Sequence, residues 1–257
     1  MSEPILELRR VNKSFGPVHV LHDIDFTVRA GEVTALVGDN GAGKSTLVKS
    51  IAGIHGMDSG EVLFEGKPVN IHGPKEAAQL GIEVVYQDLA LCDNLDIVQN
   101  MFLGRERGKA GLLDEASMEQ AARKTLASLS VRTVKSVRTP VSSLSGGQRQ
   151  TVAIAKAVLW DSKVVMLDEP TAALGVAQTR QVLDLVRRLA ENGLGVVLIS
   201  HNMNDVFEVS DRIACLYLGR MAAQLPTKDV THGQVVELIT AGRSGDLGIA
   251  RPEAATI

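Results

Sequence analysis

Residues Gly38–Thr46 read GDNGAGKST: two glycines with four residues between them, Gly38 and Gly43, then Lys44 and Ser45. This is the pattern of a glycine-rich loop that cradles phosphates. The apolar run Val33–Val37 before it reads as a buried strand, and Leu47–Ala52 after it as a helix. In that strand–loop–helix context, successive backbone N–H groups turn inward to meet an anion. The start of the helix adds the positive end of its dipole. The candidate nucleotide-binding residues are therefore Gly38, Asp39, Asn40, Gly41, Ala42, Gly43, Lys44, Ser45 and Thr46. Lys44 is expected to reach the β- and γ-phosphates, and the Ser45 hydroxyl to ligate Mg²⁺. An ordinary glycine-rich turn is the competing reading. Chance produces the pattern in roughly one chain in a hundred of this length, before the strand and helix are required.

A second pair of motifs decides the kind of nucleotide chemistry. Leu144–Gln148 reads LSGGQ, and Val164–Glu169 reads VVMLDE. Four apolar residues ending in Asp describe a buried strand that delivers a carboxylate at its C-terminal end, where ligands of open α/β sheets sit. Asp168 is expected to hold Mg²⁺ and Glu169 to polarise an attacking water. Together with the first loop, these residues resemble the ATP-binding subunit of an ATP-binding-cassette (ABC) transporter, and the resemblance covers nearly the whole chain.

Composition sets bounds consistent with this. The chain has 257 residues, enough for a full core and within the range of a single α/β domain. Its net charge is −3, so electrostatics favours no nucleic-acid partner. No apolar run approaches the ~20 residues needed to cross a bilayer. The start, MSEPILELRR, lacks the apolar stretch of a secretory signal. Cys92 and Cys215 have no spacing suited to metal or disulfide chemistry and fit a reducing cytosol. A soluble intracellular protein is expected.

Short, closely spaced runs at Ile5–Leu8, Val20–Val28, Val33–Val37 and Val62–Phe64, with turns at Gly16-Pro17 and Gly31-Glu32, predict antiparallel pairing near the N-terminus. Later runs at Ile82–Tyr86, Val164–Leu167, Val196–Ile199 and Ile213–Leu218 are separated by helical stretches and predict a parallel core. From Gln87 to about Leu159 the pattern is mainly helical, with an amphipathic stretch at Ser117–Leu129. The expected fold is thus α/β, a P-loop NTPase of ABC-cassette type. One ATPase domain would span residues 1–242, with segments 1–87 and 160–242 forming the core and 88–159 the inserted helical subdomain. The small, polar tail 243–257 is expected to be mobile.

The resemblance implies roles for further positions. Phe15 matches the aromatic that stacks on adenine, a contact worth ~1–3 kcal/mol where it forms. Gln87, at the end of the strand Ile82–Tyr86, would touch Mg²⁺ and the attacking water. His201, after the strand Val196–Ile199, would contact the γ-phosphate. Ser145, Gly146, Gly147 and Gln148 would close over ATP held by an opposite subunit. Two copies about a two-fold axis would then share two composite sites. One departure stands out. After Glu169-Pro170-Thr171 the family commonly has Ser-Ala-Leu-Asp, whereas this chain has Ala172-Ala173-Leu174-Gly175. Gly175 remains an acceptable cap for a helix starting near Val176, at a loss of a few tenths of a kcal/mol, but the usual Asp contact with the facing subunit is missing.

Segments outside the phosphate motifs look like bacterial importers of ribose-, xylose- and fructose-type monosaccharides. They include Gly73–Ala77, Tyr86–Leu91, Asn100–Glu106 and Ser200–Met203. The resemblance implies a homodimer at the cytoplasmic face of the inner membrane, held there by transmembrane permease subunits and served by an extracytoplasmic sugar-binding protein. Leu89, Leu91, Leu95, Met101 and Phe102 would be lobe core, with some lining a groove for a permease helix. The alternatives are another transporter subfamily, a soluble ABC-type ATPase acting on nucleic acid or ribosomes, and a regulatory module that binds nucleotide without hydrolysing it.

Overall fold

The computed structural model of the chain describes residues 3–109, 111–131 and 134–250. It opens with a long hairpin, β1 (Pro4–Phe15) and β2 (Val18–Arg29), and then enters β3 (Val33–Gly38) and α1 (Lys44–Ile51). Next come β4 (Ser59–Phe64), β5 (Lys67–Val69), α2 (Pro74–Leu80) and β6 (Ile82–Val85). A mainly helical stretch carries α3 (Ile97–Phe102), the two-residue strands β7 (Gly108–Lys109) and β8 (Leu112–Leu113), α4 (Glu115–Ser128) and α5 (Gly146–Val158). The chain then alternates through β9 (Val164–Asp168), α6 (Val176–Glu191), β10 (Gly195–Ile199) and α7 (Met203–Val209). It closes with β11 (Arg212–Tyr217), β12 (Arg220–Pro226) and α8 (His232–Ala241).

Two sheets form the body. An antiparallel sheet runs β2-β1-β4-β5, and a six-stranded sheet runs β12-β11-β3-β10-β9-β6. The second is parallel from β11 to β6, with β12 pairing antiparallel at one edge. Its central strands are buried on both faces, which explains their unbroken apolar runs. Val164, Met166, Val197 and Ile199 face the antiparallel sheet and α1, while Val165, Leu167, Val196 and Leu198 face α3–α6. Strand β3 divides likewise: Leu36 joins the first core, and Ala35 and Val37 meet α7 and α8.

The sequence grouped Val33–Val37 with the antiparallel strands; the structure corrects this. The turn at Gly31-Glu32 does not fold β3 back onto β2. It hands the chain to the other sheet, where β3 lies between β10 and β11 in parallel. The entry is fixed by Asp211, whose Oδ2 accepts the Val33 N–H at 2.8 Å and Arg187 Nη1 at 2.9 Å. The β7–β8 hairpin is a feature the sequence did not signal. Of the tail expected to be mobile, residues 243–250 form a turn closed by reciprocal backbone bonds between Ser244 and Ile249, with Leu247 and Ile249 against the core. Residues 251–257 lie outside the described residues.

The helical stretch packs one face inward. On α4, Met118, Ala122 and Leu126 recur every four residues and are buried, as one face of a helix requires. Its N-terminus is capped by Asp114, whose carboxylate accepts the Ser117 N–H at 3.1 Å. The loop entering α3 is organised by Asn100, which is fully buried. Its Nδ2 donates to the carbonyls of Cys92 (2.9 Å), Leu95 (3.2 Å) and Asp96 (3.0 Å), and its Oδ1 accepts the Cys92 N–H at 2.7 Å. Asn100→Ala leaves the Cys92 N–H without its acceptor and removes one of two donors from each of the three carbonyls. We expect a loss of roughly 1–3 kcal/mol, read as a lower urea midpoint with the slope unchanged.

Candidate nucleotide-binding cleft

The register of the parallel sheet brings separate sequence motifs to one edge. Leu36 on β3 lies opposite Ile199 on β10, and Ile199 lies opposite Asp168 on β9. The loops that follow β3, β9 and β10 therefore emerge side by side. Between them is a cleft of about 320 Å³ lined by Asn40, Gly41, Gly43, Lys44, Ser45, Thr46, Gln87, Asp168 and Glu169, with Val20 and Ile199 as its apolar wall.

The loop's glycines have distinct steric reasons. A Cβ on Gly38 would overlap the Leu216 carbonyl on the neighbouring strand. Gly43, the residue before α1, takes φ +104°, and its Cβ would stand 3.0 Å from Leu21 Cδ2. Both conditions select glycine. Lys44 opens α1 and folds back over the loop, its Nζ donating to the Gly38 carbonyl at 2.7 Å and the Asp39 carbonyl at 3.0 Å. Helix α1 begins at Lys44, three residues before the predicted start, so Lys44, Ser45 and Thr46 form its first turn. The N–H groups of a first turn have no intrahelical acceptor and point along the axis into the cleft.

Charge is concentrated and only half solvated here. Burial pushes the Lys44 ammonium below its ordinary range, against the pull of Glu169, Asp39 and Asp168. Burial, then the neighbouring Glu169, pushes the Asp168 carboxyl above its ordinary range, against Lys44 and Lys49. Glu169 adopts φ +50°, a region costing a non-glycine residue roughly 1–3 kcal/mol. Two contacts hold it: its N–H donates to the Ile199 carbonyl at 2.9 Å, and its Oε2 lies 2.8 Å from His201 Nδ1. The imidazole itself is 76% exposed while Glu169 is 16% exposed, so the pair reaches from the cleft floor to solvent.

Not every candidate converges. Phe15 does not line the cleft; it ends β1, 43% exposed, with its ring 5.0 Å from the His55 ring. Val20, in the same hairpin, supplies the apolar wall instead, and no sequence signal marked it. Ser145, Gly146, Gly147 and Gln148 also stand apart from the cleft, at the start of α5. There the Ser145 side chain accepts the Gln148 N–H at 3.4 Å, and Gln148 Oε1 accepts the Ser145 N–H at 2.9 Å, a reciprocal cap. Gly147 is needed for packing: a Cβ on it would stand 3.0 Å from Gln178 Cβ on α6. Gly175 precedes α6 with no side chain to cap it; its N–H donates to Gln178 Oε1 at 3.3 Å.

A second depression, about 310 Å³, lies beside Gln87 and is lined by Leu89, Met101, Leu103, Arg105, Lys156 and Trp160 among others. Of the five apolar residues proposed for a groove, Leu89 and Met101 line it. Phe102 belongs to the core, fully buried and edge-on to Trp160 with the ring centroids 5.4 Å apart, and Leu91 packs partly buried against that core. Leu95 is half-buried outside the lining.

The strand–loop–helix at the edge of a parallel sheet defines a P-loop nucleotide-binding protein. Comparison with known proteins makes this specific. The ABC transporter family model matches residues 21–172, more than half of the chain. The fructose import ATP-binding protein FrcA of Rhizobium meliloti is 48% identical, covering 94% of this chain and 95% of that protein. The xylose/arabinose import ATP-binding protein XylG of Sulfolobus acidocaldarius is 44% identical, covering 95% and 97%. A ribose import ATP-binding protein, RbsA of Lacticaseibacillus paracasei, is 42% identical, and the match takes up only 46% of its length. Among solved structures, cbiO1 of Clostridium perfringens, part of the ABC transporter complex cbiONQ, superposes with a TM-score of 0.78 at 28% identity over 96% of this chain and 98% of that one. A nucleotide-free ATP-binding cassette from an ABC transporter gives 0.80 at 24% identity over 93% and 96%, a likeness of fold. The chain belongs to the ABC transporter family, and its fold is that of the ATP-binding cassette.

The raised Asp168 carboxyl has a stability consequence with a definite sign. A group whose folded-state pKa lies above its unfolded value destabilises the fold once it is ionised. That penalty is absent below the unfolded value, about 3.9, and grows as pH rises through the folded value. Asp168→Asn should therefore melt higher than the parent at neutral pH without nucleotide. The difference should shrink as pH falls towards about 4, as thermal melts across a pH series would show.

Proposed function

We propose that the chain is the ATP-hydrolysing subunit of an ABC importer that energises monosaccharide uptake across the cytoplasmic membrane. One observation carries the catalytic part: Lys44, Ser45, Gln87, Asp168 and Glu169, drawn from three separate segments, line a single cleft. The names of relatives nearly coextensive with this chain, fructose import and xylose/arabinose import ATP-binding proteins, support the cargo class. They lend nothing to the nucleic-acid alternative.

In this reading Lys44 and the amides of the Gly38–Thr46 loop hold the β- and γ-phosphates. Lys44 exchanges its two carbonyl partners for phosphate oxygens, whose negative charge offsets the burial that disfavours its own. The donor set suits Mg²⁺. The Ser45 hydroxyl, the Gln87 amide and the Asp168 carboxylate are all oxygen ligands on one cleft, few enough to leave waters in place. Bound there, the ion would neutralise charge on the phosphate oxygens. Glu169 accepts a proton from, or orients, the attacking water, and His201, held against it, meets the γ-phosphate. Val20 offers apolar surface within the cleft, and Phe15, exposed at the end of the same hairpin, would stack on the adenine.

The start of α5 explains why a second copy is required in this account. Ser145, Gly146, Gly147 and Gln148 form a capped, anion-ready turn that is remote from the chain's own cleft. In a two-fold dimer it closes over the partner's ATP. Among the described residues no helix is long and apolar enough to cross a membrane. Attachment at the cytoplasmic face of the inner membrane is therefore assigned to permease subunits. The depression between Leu89 and Trp160 would receive a short permease helix, with an extracytoplasmic sugar-binding protein delivering the cargo.

Glu169→Gln should still bind ATP yet hydrolyse it ~10²–10⁴ times more slowly. It should also sediment as a dimer only with ATP present; a monomer at saturating ATP would overturn the sandwich. Leu89→Asp should leave hydrolysis by the isolated subunit intact while lowering the share of protein recovered with the membrane fraction.

A further inference from the structure

Asp205 is a carboxylate only 6% exposed. Its oxygens are taken by neutral donors: Oδ2 accepts from Thr171 Oγ1 at 2.7 Å, and Oδ1 from Asn202 Nδ2 at 3.0 Å. Thr171 lies two residues beyond Glu169, and Asn202 directly follows His201. One buried carboxylate therefore ties together the two loops that carry the Glu169–His201 contact. The residue itself is firmly held, because its neighbours Val206 and Val209 on α7 are buried in two different cores. By contrast, the His201 side chain is 76% exposed.

We propose that Asp205 is a positioning residue. Anchored through α7, it fixes the loop after β9 against the loop after β10, so that Glu169 and His201 stay at hydrogen-bonding distance. The proposal rests on the catalytic reading of that pair. Burying a carboxylate among neutral partners is unfavourable unless its hydrogen bonds are made. The Thr171 bond therefore resists separation of the loops, and the Asn202 bond ties Asp205 to the turn that carries His201. Any displacement of the stretch Thr171–Gly175 is passed to the turn bearing His201.

The test is steady-state ATP hydrolysis by Asp205→Ala, with Thr171→Val as a milder variant that keeps side-chain shape and removes one tie. Misplacing a catalytic group by about an ångström costs up to ~10²-fold. We expect kcat to fall about ten- to a hundredfold in Asp205→Ala and less in Thr171→Val, with the KM for ATP nearly unchanged. Placed in a His201→Ala background, Asp205→Ala should add little further loss, since the contact it maintains is already gone. A purely structural role would give a loss that multiplies with that of His201→Ala, and this result overturns the proposal. So does full turnover in both Asp205→Ala and Thr171→Val. Glu169→Gln assayed in parallel separates the two levels. Loss of hydrolysis there with normal Asp205 variants removes only the positioning role. Normal turnover in Glu169→Gln removes the catalytic pair, and the positioning role with it.

Discussion

Everything at the cleft depends on three parallel strands ending at the same level. β3, β10 and β9 pair in a register that sets Leu36, Ile199 and Asp168 in a row across the sheet. Hydrogen bonds along the ladders fix that row, and the two different cores packed on the two faces oppose a one-residue slip, which would exchange every side chain between them. The loop of Gly38–Thr46, the Asp168–Glu169 pair and His201 owe their proximity to this alignment. A helix could not supply it, because successive residues of a helix turn away from a common edge.

The same alignment produces an electrostatic arrangement that disfavours the empty protein. Lys44 is held by carbonyl oxygens instead of anions, and Asp168 sits half-buried beside Glu169. Each charge is poorly solvated, and the opposing signs only partly compensate. A phosphate chain with its counter-ion would answer both deficits at once. Functional sites commonly sacrifice stability in this manner. The left-handed backbone at Glu169 adds to that local strain.

Much of this was legible from residues alone because it rests on local, periodic signals. The apolar runs ending in Asp168 and Ile199 marked buried strands, and the glycine spacing marked the phosphate loop. The placement of β3 was misread, since a two-residue turn at Gly31-Glu32 looks the same whether the next strand folds back or crosses to another sheet. What decides it is Asp211, nearly two hundred residues away, receiving the Val33 N–H. Asn100 and Asp205 were silent for a related reason. A single Asn or Asp near a helix start is an ordinary cap, and only three-dimensional packing shows which loops it joins. Val20 carried no signal at all, being one more β-branched residue in a strand.

The close seating of Gly147 on Gln178 ties the turn at the head of α5 to the head of α6 with almost no clearance. Gly146 stands equally near Leu174, with 3.2 Å between the position of a Cβ on it and Leu174 Cδ2. The two helix ends consequently leave no room for a side chain between them. A larger side chain at either glycine would force α5 away from α6 and from the segment that leads back to Glu169.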